Sequence, residues 1–227
     1  MIKVDITEKN FNFANGLSER NLTDMLVIHH TGENDIDATA EQIHEWHLNN
    51  GWAGIGYHFV IRKSGEIERG RPENAVGSHA YGENSHTLGI HLSGDFMTGK
   101  PTDAQIEKCA MLIANLAEKY NIPIDRNHIV GHCDLMSTDC PGTNLYSQLE
   151  TIIGKANWYR FGEEKQPATT AETVNDKFNT IEQIPDWAKA TIQKLIDKKF
   201  LSDANNLNLS LDMIRIFVVH DRAGLYA

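Results

Sequence analysis

Met25-Leu26-Val27-Ile28-His29-His30-Thr31 is an apolar run that ends in two histidines. Four consecutive apolar residues read as a buried strand, Met25 to Ile28. The imidazoles then arrive at the strand end, where His29 and His30 face opposite ways in an extended chain and a one-residue register error would exchange them. Some hundred residues further on, Gly131-His132-Cys133-Asp134-Leu135-Met136-Ser137-Thr138-Asp139-Cys140-Pro141-Gly142 sets an imidazole and a thiol eight positions apart. Pro141-Gly142 turns the chain directly after the thiol.

Between these two segments the periodicity alternates. Thr39 is a helix cap ahead of Ile43, Trp46 and His47 at helical spacing, with a stop at Asn50-Gly51. Gly56 to Arg62 reads as a strand, Lys63-Ser64-Gly65 as a turn, and Glu66 to Gly70 as the returning arm of a hairpin. Thr87 to Leu92 is a further strand. Thr102-Asp103-Ala104-Gln105 opens a helix with a broad apolar stripe (Ile106, Cys109, Ala110, Leu112, Ile113, Leu116, Ala117, Tyr120), stopped by Asn121 and Pro123. Asn127 to Gly131 is a short strand, and Leu145 to Ala156 a last helix. Residues 1–24 read as an irregular arm. Strands and helices mix without a repeating βα period, so the fold class expected is α/β: a central mixed β-sheet flanked by helices, followed by a small helical C-terminal module.

The division expected is a catalytic domain over 1–160, a linker over 161–180 rich in Glu, Lys, Thr, Ala and Asn, and a helical module over 181–227. In the module, Pro185 precedes a helix with Trp187, Ala188, Ile192, Leu195 and Ile196 on one face. Ser210 caps a second helix containing Leu211, Ile214, Ile216, Phe217 and Val218, and Gly224 ends it. A helix pair this short has little core of its own, which predicts that it docks on another copy, the main domain or a ligand.

Composition narrows the function classes. The formal charge is −10 across 227 residues, which argues against a general affinity for nucleic acid or an anionic membrane. No apolar run approaches the roughly 20 residues that span a bilayer. The N-terminus Met1-Ile2-Lys3-Val4-Asp5-Ile6-Thr7-Glu8 lacks the apolar core of a signal peptide, which predicts synthesis in the cytoplasm. Three cysteines cannot all pair within the chain and read as reduced thiols.

Imidazole and thiolate are good zinc ligands, and sulfur favours zinc over magnesium or calcium. His29, His132 and Cys140 could make a three-ligand set, and a fourth position left open to water is what marks a catalytic zinc. Tyr57 and Thr138 offer hydroxyls for a developing oxyanion. Each residue alone also has a structural reading: a satisfied core histidine for His29, a packed ring for Tyr57, a structural loop for His132 and Cys140. The residues taken one by one stop at a zinc hydrolase without a substrate.

Several segments, in order, resemble the zinc-dependent N-acetylmuramoyl-L-alanine amidase family, the group of the T7-type phage lysozymes and the peptidoglycan recognition proteins. They are Val27-Ile28-His29-His30-Thr31, Trp46-His47, Gly51-Trp52, Gly56-Tyr57-His58-Phe59, Gly70-Arg71, Ala75-Val76-Gly77-Ser78-His79-Ala80, Asn84-Ser85, Leu88-Gly89-Ile90, Gly131-His132 and Asp139-Cys140-Pro141-Gly142, spanning about residues 20–150. The resemblance implies a Zn2+ site of His29, His132 and Cys140, a catalytic Tyr57, and cleavage of the peptidoglycan amide between N-acetylmuramic acid and L-alanine. It implies muropeptide contacts for His79, Asn84 and Ser85, with a supporting structural role as the alternative for His79. Two departures stand out. Thr138 occupies a position that is Lys in the T7-like branch. His91-Leu92-Ser93 supplies no carboxylate where recycling amidases carry an acidic residue, so the general base is left unassigned. The C-terminal helices are similar to modules on phage amidases of Gram-positive hosts, which implies cell-wall attachment or a homodimer. The expected setting is a phage endolysin that reaches the wall after release from the host cytoplasm. A cytoplasmic muropeptide-recycling amidase and a non-catalytic peptidoglycan-binding protein are the alternatives, as is a Cys140–His132 thiol enzyme.

Overall fold

The computed structural model describes residues 3–32, 35–162, 177–201 and 206–226. The chain divides into two compact units, Met1–Ala156 and Asn157–Ala227.

The first unit is built on six strands: β1 (Ile6–Thr7), β2 (Met25–His30), β3 (Phe59–Ile61), β4 (Ile67–Arg69), β5 (Thr87–Leu92) and β6 (Ile129–Gly131). They lie in the order β1-β4-β3-β5-β2-β6. Only β3 and β4 pair antiparallel, across the Lys63-Ser64-Gly65 turn; the other four pairings are parallel, so the sheet is mixed. The central strands β2 and β5 are apolar almost throughout because both faces are covered. β2 and β5 run in register, and His29 lies opposite His91.

The helices are α1 (Ala40–Asn49), α2 (Asp103–Tyr120), α3 (Thr143–Tyr146) and α4 (Leu149–Gly162). Thr39 and Thr102 each cap a helix through a capping box, with Gln42 and Gln105 as the reciprocal partners. Asn121 closes α2 in the left-handed conformation. Buried Gln105 also donates to the carbonyls of Ile61 and Ser93, tying α2 to the ends of β3 and β5. The core gathers Leu26, Val27, Ile28, Phe59, Ile61, Leu88, Ile90, Leu112 and Ile113, all fully buried.

Three expectations change, and a fourth falls largely outside the described residues. The N-terminal arm is not wholly irregular: Ile6 and Thr7 pair with Ile67 and Glu68 as β1, a bridge too short to leave an alternation in sequence. In α1 the buried residues are Ala40, Ile43 and His44, whereas Trp46 is 38% exposed, so the apolar stripe expected through Trp46 is rotated. The helix expected from Leu145 to Ala156 is broken at Ser147-Gln148 into α3 and α4, and α4 runs on to Gly162. Most of the expected linker, residues 163–176, lies outside the described residues.

The second unit contains α5 (Asp186–Asp197) and α6 (Leu211–Arg222). Ser210 caps α6, and Gly224 follows it at φ 77°. Ile184, Ala188, Ile192, Leu195, Leu207, Leu209, Ile214 and Val218 form a buried cluster, joined at its edge by Phe178, Trp187, Leu201 and Phe217. The helix pair therefore carries a core of its own, larger than its length suggested, because the flanking segments at Phe178 and Leu209 bridge and close it.

Candidate metal centre

The parallel pairings bring three distant segments to one end of the sheet. β2 delivers His29 at its last turn of alternation, β6 ends at Gly131 and hands the chain to a single 3-10 turn, His132–Asp134, and the loop after it returns Cys140. The loop is closed by main-chain bonding: the Cys133 amide donates to the Cys140 carbonyl (2.8 Å) and Gly142 to Asp139 (2.7 Å). Asp134 braces it from outside, accepting from the Gly131 amide (2.8 Å), Arg126 (3.0 Å) and the Tyr146 hydroxyl (2.5 Å).

One donor atom from each of His29, His132 and Cys140 lies within 4.8 Å of the other two. Cys140 Sγ is 3.6 Å from His29 Nδ1, across 111 residues of sequence. His132 Nε2 is buried without a hydrogen-bond partner among the described residues. Burial holds both imidazoles below their ordinary pKa, and it pushes the Cys140 thiol up to about 12. Two neutral imidazoles and one sulfur are thus gathered with no cationic or carboxylate partner among the described residues, a donor set that fits a divalent metal of zinc type.

The ambiguity between the neighbouring histidines resolves on geometry. His30 turns to the opposite side, where its Nδ1 accepts from the Phe96 amide (3.1 Å) and its ring stacks on Phe96. His29 is the one that joins Cys140.

Tyr57 lies beside the cluster. Its ring centroid is 5.0 Å from His29, 4.8 Å from His91 and 5.6 Å from His47. Burial holds its phenol above the ordinary range, with the Cys140 sulfur adding to the shift, so it remains an O–H donor at neutral pH. Thr138 Oγ accepts from the Cys140 amide (3.3 Å), which holds its hydroxyl on the Cys140 loop with its own hydrogen still to donate.

The three residues expected to touch substrate separate. His79 is only 8% exposed and sits behind His29, Nδ1 to Nε2 at 3.1 Å. Asn84 Oδ1 accepts from the amides of His79 and Ala80 (2.8 and 3.0 Å), so its carbonyl is spent on the loop. Ser85 is exposed. Two histidines enter the site without a role read from sequence. His47 Nδ1 accepts from Gly56 (3.0 Å), with its ring against Trp52 and Tyr57. His91 is buried beside Tyr57, and its pKa is lowered to about 3 by that burial. With eleven histidines in the chain, only the fold singles out these two: the strand register sets His91 opposite His29, and α1 carries His47 to Tyr57.

The family model for N-acetylmuramoyl-L-alanine amidase matches residues 19–143. The endolysin of Escherichia phage T7 is 32% identical over 133 residues, covering 56% of this chain and 85% of its own length. Peptidoglycan-recognition protein SC2 of Drosophila melanogaster is 34% identical over 139 residues, covering 58% and 73%. Among solved structures, the endolysin N-acetylmuramoyl-L-alanine amidase LysCS from Clostridium intestinale URNW superposes with a TM-score of 0.60 at 42% identity, covering 65% of this chain and 93% of that one.

Proposed function

The chain belongs to the N-acetylmuramoyl-L-alanine amidase family, and from that premise we propose a zinc-dependent endolysin whose metal is held by His29, His132 and Cys140. Its reaction is hydrolysis of the peptidoglycan amide that joins N-acetylmuramic acid to L-alanine. The observation that carries the zinc reading is the convergence of those three donors from separate segments.

A zinc ion in this set would polarise the scissile carbonyl and acidify water near neutral pH. The protein's own groups then do the rest. Tyr57, ring held among three imidazoles, donates its O–H to the oxygen that gains charge in the tetrahedral transition state. Thr138 adds a second, neutral donor from the Cys140 loop. The L-alanine amine leaves with a proton from solvent. His29 is buried, and the low-polarity surroundings on its side strengthen the electrostatic part of these interactions.

A thiol mechanism on Cys140 is disfavoured by burial, which opposes a free thiolate where no metal shares its charge. Thiolate, not thiol, is the nucleophile, and burial moves this group far from the thiolate form at neutral pH. The second unit serves wall attachment or pairing of copies in this reading. Endolysins among the relatives support a role in phage-mediated lysis, in which the enzyme is made in the host cytoplasm and acts on the wall after release. No described helix is long and apolar enough to cross a membrane.

The test is product analysis on purified cell walls. New N-terminal alanine without new reducing sugar is expected. Reducing ends alone would overturn the assignment.

A further inference from the structure

Two side chains, His79 and Thr87, tie His29 to the main chain, and their hydrogens can be counted from the far end. The Thr87 hydroxyl donates to the Glu83 carbonyl (2.8 Å). A hydroxyl has one hydrogen, so towards His79 Nε2, 3.4 Å away, Thr87 Oγ can only accept. The proton on the His79 ring therefore sits on Nε2. A neutral imidazole carries one N–H, which leaves His79 Nδ1 as a lone pair. Its neighbour at 3.1 Å, His29 Nε2, must then be the donor. The same rule leaves the lone pair of His29 on Nδ1, the nitrogen that faces Cys140 Sγ at 3.6 Å.

The relay is built to hold that order. His79 is wedged between two glycines. A Cβ on Gly77 would meet His79 Cδ2 at 2.5 Å, and one on Gly89 would meet His79 Cγ at 2.6 Å, so only hydrogen leaves room for the ring. Asn84 fixes the backbone of His79 and Ala80 from the other side. Glu83 and Thr87 flank this loop, so its closure and the relay share the same residues.

We infer that His79 and Thr87 are positioning residues that lock His29 in the Nε2-protonated tautomer and so aim its Nδ1 lone pair at the metal. The inference rests on the zinc reading above. Hydrogen-bond partners behind a ligating histidine fix its tautomer and ring direction, and removing one commonly weakens metal binding about 10–100-fold.

The experiment uses the full chain as wild type and as Thr87→Val, Thr87→Ser and His79→Phe. Zinc affinity is measured by competition with a chromophoric chelator, and histidine tautomers by long-range proton–nitrogen NMR on the chelated protein. Wild type is expected to show both His29 and His79 protonated at Nε2. His79→Phe is expected to bind zinc about 10–100-fold more weakly, and Thr87→Val measurably more weakly, while Thr87→Ser keeps the hydroxyl and stays within about 2-fold of wild type. The Thr87 pair carries the test if His79→Phe does not fold. Zinc held equally by all four chains, or a wild-type His29 protonated at Nδ1, would overturn the relay and leave the metal centre standing. A wild type that holds no zinc would overturn the metal centre itself, and the relay's purpose with it.

Discussion

The two units bury different kinds of residue. In the first, His29, His30, His58, His79 and His91 are all buried with Arg20, Glu68, Arg71 and Gln105, and most of their polar atoms are matched. In the second, the buried cluster is aliphatic, and Thr191 is the one buried polar residue among those described. Buried polar groups are retained at a cost of about 1–3 kcal/mol wherever a partner is missing. A unit that keeps so many is organised around chemistry, and a unit that keeps almost none is organised around packing.

The sharpest break of this contrast is Tyr57→Phe. It keeps the ring among its three imidazoles and removes only the O–H, so folding and metal content should hold. The expected loss in kcat is about 10²–10³-fold, the range for one oxyanion donor, read on a soluble muropeptide. A loss confined to KM would instead make the hydroxyl a ground-state contact.

The complementary change falls in the second unit. Leu195→Ala removes a side chain that is 2% exposed from the aliphatic cluster. The expected destabilisation of that unit is about 2–5 kcal/mol, seen as loss of amide protection over α5 and α6. Turnover of a small soluble muropeptide should be unchanged, while lysis of whole walls should fall if this unit attaches the enzyme. An equal loss on both substrates would show that the two units share the site.

How much of this was legible in sequence also divides along the contrast. The apolar run before His29 and the stripe of α2 followed from periodicity, because burial on both faces leaves a run and burial on one leaves a rhythm. His29, His132 and Cys140 were readable as a possible zinc set from their side-chain chemistry, but only the resemblance drew them into one site, since nothing in their spacing requires three segments to meet. The relay behind His29 was not legible. His79, Thr87 and Glu83 are ordinary residues whose meaning depends on which hydrogens are already used. Gly77 and Gly89 show their purpose only when a ring lies between them. β1, Trp46 and the break at Ser147-Gln148 were missed because two-residue pairings, helix rotation and one-turn gaps fall below what a hydrophobic pattern encodes.

The smallest effect expected lies at the rim of the first unit. His86 reaches Asp24 through Nδ1 (2.6 Å) and Glu83 through Nε2 (2.8 Å), and those carboxylates raise its pKa. A raised histidine stabilises the fold fully below its unfolded pKa of about 6.5, and that contribution fades as pH rises through the folded value. His86→Gln should flatten the pH dependence of Tm between the acid side of 6.5 and mild alkali, with little change above it. A variant that lowers Tm equally at all pH values would contradict the ionic reading.

The central claim is that three donors from distant segments hold one catalytic metal. Removing metal from the purified chain with a chelator, then restoring zinc in measured amounts, addresses it directly, with release of N-terminal alanine from cell walls as the readout. The account predicts no release after chelation and full recovery at one zinc per chain, with Cys140→Ser failing to recover. Undiminished release from the metal-free chain would contradict it.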